Sequence, residues 1–121
     1  MLLACLLGGL LLLVIGVRYM LVPEAAALTF GIRRRPQAFE LHYVTGLRNM
    51  WLGGLAVALA AFREWRALAL WFGMAAIVCL ADAGIAAGSV GGWPHIAFHA
   101  GCGVASAGLS ALCWRAAAKG S

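Results

Sequence analysis

Four long apolar blocks, broken three times by polar residues, set the pattern of this chain. The first break, residues 23 to 41, carries Pro23, Pro36 and the run Arg33, Arg34, Arg35. The second is Arg63-Glu64-Trp65-Arg66, and the third runs from Ser89 through Gly91 and Gly92 to Pro94. Within the blocks apolar side chains occupy most positions, and their length marks them as spans, because a helix needs roughly 20 apolar residues to cross a bilayer. The spacing predicts helices over about Leu2 to Val22, His42 to Phe62, Arg66 to Gly88 and Pro94 to Arg115. Pro94 opens the last and Gly88 ends the third, in line with proline at helix starts and glycine past helix ends. Pro23 and Glu24 make a further start, Ala25 to Leu28 are good helix formers, and Gly31 is a stop, which predicts a short helix lying in the membrane interface. The expected fold class is all-α: an integral membrane antiparallel four-helix bundle, with residues 1 to 121 forming one transmembrane domain.

Composition strengthens this reading: 64% of the residues are hydrophobic and 11% are charged, the balance of a bilayer-embedded chain. In 121 residues four spans leave no room for a separate soluble domain. No nucleic-acid partner is expected: a run of arginines beside an apolar helix is usually a topology and head-group anchor whose partner is membrane lipid, with a substrate-binding role as the alternative. Topology itself is balanced: Arg63, Arg66, Arg115 and Lys119 fall on the side of the termini, and Arg18, Arg33, Arg34 and Arg35 on the other. The expectation is a multi-pass protein with cytoplasmic termini, in the cytoplasmic membrane if bacterial; an inverted, dual-topology homodimer is the alternative that equal counts leave open. Leu2 to Val17 lacks the basic start of a signal peptide, and Cys5 has no hydrophobic region before it, so it reads as an ordinary helix residue.

Polar residues inside apolar spans are costly, and they mark functional sites or wet cavities. Asp82 is the one acid within the apolar blocks, and it falls on the same membrane side as Arg18, Tyr19, His42, Arg48, Asn49, His95 and His99. In the last helix His95, His99, Cys102, Ser106, Ser110 and Cys113 share one face to within roughly 80°. In the second, His42, Thr45, Gly46, Asn49 and Gly53 form a comparable stripe with Arg48 at its edge. Counted from the helix ends at 1.5 Å per residue, Arg48, Asp82 and His99 lie roughly 7 to 10 Å below one surface. Turned inward, they are expected to meet: Asp82 neutralising Arg48 in a buried ion pair and accepting a proton from the His99 imidazole. The same residues also fit a purely structural ion pair, which needs only two partners. Glycines at 46, 53, 54, 84, 101, 103 and 108 read as helix-packing positions.

No metal and no cofactor are expected. His95, His99 and Cys102 have one-face spacing, and His42 with His99 could supply two axial haem ligands, yet no paired-cysteine motif exists. Cys5, Cys79, Cys102 and Cys113 are scattered through apolar segments, which also argues against disulfides.

Pro23 to Gly31, Gly46-Leu47-Arg48-Asn49 followed by Trp51-Leu52-Gly53-Gly54, Arg63 to Leu68, Asp82 and an early histidine in the last helix resemble, in order and spacing, the domain-of-unknown-function family 4267 of small four-helix membrane proteins. The resemblance covers nearly the whole chain. It implies that Gly46, Arg48, Asp82 and His99 are motif positions. Asn49 stands where the family more typically has aspartate, so a pocket here has one carboxylate fewer.

The leading functional expectation is binding of a small lipophilic or amphipathic molecule in a polar pocket near one membrane face, with acid-base conversion as its extension. Asp82, His99 and Arg48 would be the catalytic group, with Asn49, His95, His42, Thr45, Tyr19 and Arg18 lining the pocket. The alternatives are a small proton-coupled transporter that uses Asp82, and a structural subunit of a membrane complex.

Overall fold

Helix boundaries follow the polar breaks closely in the computed structural model, which describes residues 1–30, 40–88 and 92–119. The elements are α1 (Leu2–Leu21), α2 (Pro23–Phe30), α3 (Glu40–Ala61), α4 (Trp65–Gly88) and α5 (Trp93–Lys119). The last helix runs one turn beyond its expected end at Arg115, because Ala116, Ala117 and Ala118 continue it at no propensity cost. Arg33 to Arg35, the Gly31 stop and the break at residues 89 to 91 lie outside the described residues. α1, α3, α4 and α5 are all long and apolar enough to cross a membrane, and only 17 to 28% of each apolar window is buried in the protein. The outward Leu7, Val14, Leu47, Trp51, Met74, Ile77 and Val104 therefore need lipid as their solvent. This is the pattern of a multi-pass membrane protein.

The spans form two antiparallel pairs, α1 with α3 and α4 with α5. In the first pair the backbones touch. A Cβ placed on Gly16 would sit 2.6 Å from the Met50 nitrogen and 2.7 Å from the Gly46 oxygen; one placed on Gly53 would sit 2.7 Å from the Gly9 oxygen and the Leu13 nitrogen. Glycine is therefore required at these positions by space. Between membrane helices no hydrophobic driving force exists, so this close van der Waals approach is what holds the pair. The second pair is looser: Gly103 faces Leu80 at 3.4 Å, and the Ser110 hydroxyl donates to the Ala69 carbonyl at 2.7 Å.

One apolar cluster joins the two pairs at the end that carries both termini. Cys5, Ala60, Leu68, Ala69, Phe72 and Cys113 are all buried there, with Leu6, Leu59, Trp71 and Leu109 packed around them. The Cys5 and Cys113 sulfurs lie 3.6 Å apart, which brings the first and last spans into contact. Beside this cluster the chain reverses from α3 into α4. The Glu64 N–H donates to the Leu59 carbonyl at 2.9 Å and the Arg63 N–H to the Ala60 carbonyl at 3.1 Å, the two bonds of a Schellman cap. Arg63 takes the left-handed position with φ of 58°, where glycine is usual.

Two contrasts follow for thermal unfolding in detergent. Gly16→Ala is expected to cost about 1 to 3 kcal/mol by overpacking, whereas Gly54→Ala, with open space around it, should be neutral or stabilising by up to about 1 kcal/mol. Arg63→Gly should raise stability by about 1 kcal/mol at most through relief of the left-handed residue.

Candidate functional site

At the end of the bundle away from the apolar cluster, each of the four spans contributes a titratable side chain to one neighbourhood: Tyr19, His42, Asp82 and His99. Helix register explains the grouping. The spacing that sets Gly16 against Gly46 continues one turn on to bring the Tyr19 ring beside His42, with centroids 6.0 Å apart. Likewise the antiparallel seam that sets Ser110 against Ala69 and Gly103 against Leu80 carries on to place Cys102 near Cys79 and His99 near Asp82. Asp82 is half-buried and within electrostatic reach of both His99 and Tyr19, which links the two helix pairs.

His99 is buried, 7% exposed like Tyr19, and among the described residues its Nε2 has no hydrogen-bond partner. Its ring is held by aromatic neighbours: Phe30 at 4.4 Å between centroids, tilted by 55°, and Phe98 at 5.5 Å, edge-on. Phe30 is the last residue of α2. That short helix folds over the bundle end because Ala26 and Ala27 are small enough to pack against it, and both are buried. A second tie fixes it: the His95 Nδ1–H, in the tautomer this contact requires, donates to the Thr29 carbonyl at 3.0 Å. α2 thus roofs the site.

A buried imidazole nitrogen without a partner forfeits roughly 1 to 3 kcal/mol of solvation, so it marks a place where a polar group is missing. Neutral imidazole presents Nε2 as donor or acceptor according to tautomer. The site can therefore hydrogen-bond one polar group in apolar, aromatic surroundings. Trp71 Nε1 is also buried without a partner among the described residues, but it lies with Phe72 in the apolar cluster at the other end.

The sequence matches the family model described as Domain of unknown function (DUF4267) over residues 9–113. The chain belongs to this family. Neither a curated protein nor a solved structure matches it. The DUF4267 match spans all four membrane helices, so both halves of the site lie inside the family domain.

For this DUF4267 chain the structure brings together only part of the expected group. Asp82 lies within electrostatic reach of His99 and Tyr19, the Tyr19 ring stands beside His42, and His95 is tied to Thr29. Arg48 is not among them. Its side chain is exposed, and among the described residues no ion pair joins it to Asp82. The cause is helical geometry: Arg48 follows Gly46 by two residues, about 200° round α3, so burying Gly46 against α1 turns Arg48 outward. Arg18 is also exposed, in the last turn of α1, where a cation suits the helix dipole. Thr45 donates its hydroxyl to the Leu41 carbonyl of its own helix at 2.8 Å, and Asn49 is partly buried. The stripe on α3 is real, but Gly46 and Gly53 spend it on packing α1.

Phe30 and Thr29 were invisible from sequence, because a short helix after a proline reads as lying in the interface rather than folding over a bundle. The signal was the small pair Ala26 and Ala27. His95→Ala removes the tie to Thr29, so amide hydrogen exchange in Pro23–Phe30 should accelerate by about five-fold while exchange in α1 stays unchanged.

Proposed function

We propose that this protein binds a small lipid-soluble molecule with one polar head at the α2 end of the bundle, and that His99 with Asp82 makes the polar contact. The observation that carries the reading is the buried Nε2 of His99, which has no hydrogen-bond partner among the described residues, near Asp82, the one carboxylate in the interior of the described spans. The ligand's carbonyl or hydroxyl satisfies Nε2; its apolar body lies against Phe30 and Phe98. Asp82 lies within electrostatic reach of the imidazole, and Tyr19 supplies a hydroxyl from the opposite helix pair.

The same placement suits proton transfer. A histidine oriented by a carboxylate, in a site shielded from bulk water, is the common arrangement for general acid-base catalysis. With one carboxylate and one imidazole, the chemistry in reach is movement of a proton on the bound molecule, as in an isomerisation; Arg48, being exposed, takes no part. What favours this over a transport pathway is the other end of the bundle. There the cluster around Leu68 and Phe72 is apolar and fully packed, so polar groups offer a stepping place on one side only.

Mass spectrometry of molecules that co-purify in detergent tests the binding. His99→Ala and Asp82→Asn are expected to reduce retention of the bound molecule by about ten-fold or more, as loss of a hydrogen bond to a charged or polarised partner would; Arg48→Ala should leave it unchanged. Equal retention in wild type and His99→Ala would sink the proposal. Proton-coupled uptake into sealed vesicles, abolished by Asp82→Asn, would replace it with transport.

A further inference from the structure

A second feature lies at the opposite end of the bundle and is independent of the His99 site. Between α4 and α5 an open groove of about 490 Å³ faces the lipid, within the 300 to 1,000 Å³ common for small-molecule sites. Small side chains make it: Ala69 and Gly73 on α4, Ala107 and Ala111 on α5. Its floor is apolar, because the one hydroxyl there, Ser110, is already engaged with the Ala69 carbonyl. From Ala107 to Arg115 the groove follows α5 for about 12 Å, which is most of one leaflet of a hydrocarbon core roughly 30 Å thick. Trp114 and Arg115 stand at its outer end. An adjoining cavity is lined by Arg66, Trp114 and Ala117, so two arginines from different helices flank one tryptophan at the membrane surface. Charge at this end is one-sided: Arg63, Arg66, Arg115 and Lys119 face the single acid Glu64.

We infer that this groove is a binding site for an anionic phospholipid, one acyl chain lying along Ala111, Gly73 and Ala107 and the phosphate held at Arg115 and Arg66. Each part of the groove matches a part of such a lipid. The apolar trough opens sideways to the bilayer, runs for about the depth of a leaflet, and ends in guanidinium groups at head-group level, where basic pockets between membrane helices select anionic lipid. Tryptophan at that level adds an amphipathic ring suited to the interface.

Native mass spectrometry of the detergent-solubilised full chain, titrated with phosphatidylglycerol or with phosphatidylcholine of the same acyl chains, tests this. Phosphatidylglycerol should bind more tightly. Arg115→Ala should weaken it about five-fold, the effect of one basic residue near a membrane surface, and weaken phosphatidylcholine less, because choline already neutralises that phosphate. Ala111→Leu, on an exposed position that fills the trough without touching the core, should displace both lipids while the melting temperature without lipid is kept. Equal binding of the two lipids, or no response to Arg115→Ala, would overturn the proposal. A change in the proportion of dimer on Ala111→Leu, with lipid binding intact, would overturn it too and assign the groove to a second copy of the chain.

Discussion

Everything in this bundle depends on how closely α1 and α3 approach. With Gly9 and Gly16 on one helix and Gly46 and Gly53 on the other, carbonyl oxygens and amide nitrogens of the two backbones meet where side chains would otherwise stand. In lipid this contact substitutes for the hydrophobic effect, which cannot distinguish a leucine from an acyl chain. It also fixes rotation. Once Gly46 is against α1, His42 must lie beside Tyr19 and Arg48 must face outward. The composition of the candidate site is therefore a consequence of packing several residues away from it.

The two pairs are joined differently at their two ends. At one, six fully buried small or apolar residues close the space between four helices. At the other, ionisable groups on all four spans approach one another under α2, and Asp82 is the element common to both pairs. A charged group at this depth costs several kcal/mol unless it finds partners or water, so this end is the less stable one. α2 compensates in part: its Phe30 and its Thr29 carbonyl give both histidines of α5 something to rest on. A region with fewer apolar contacts is where local opening costs least.

Much of the architecture was legible in the residues because block length and break chemistry dominate in a membrane chain. Pro23, Pro94 and Gly88 mark boundaries with direct physical meaning, and the helices fall within a residue or two of them. The common depth of Asp82 and His99 was also legible, since depth follows from counting along antiparallel helices. Arg48 was misplaced because depth says nothing of rotation. Only the knowledge that Gly46 faces α1, rather than α4, decides which way its helix turns, and a glycine announces close approach without naming the partner. The roof formed by α2 was hidden for a related reason: an eight-residue helix carries too little pattern to show which surface it covers.

The contact between Cys5 and Cys113 has a consequence for how the chain is made. These sulfurs belong to the first turns of α1 and the last turns of α5, separated by nearly the whole sequence. During vectorial synthesis the α1 and α3 pair can zip together as soon as Ala61 has left the ribosome, since its glycine seam is complete by then. The cluster that shuts the bundle must wait for the final helix. Until that moment the cluster lacks Cys113, and the side of Cys5 that will meet that sulfur has only lipid for a neighbour, so the earliest residue of the core completes its contacts last.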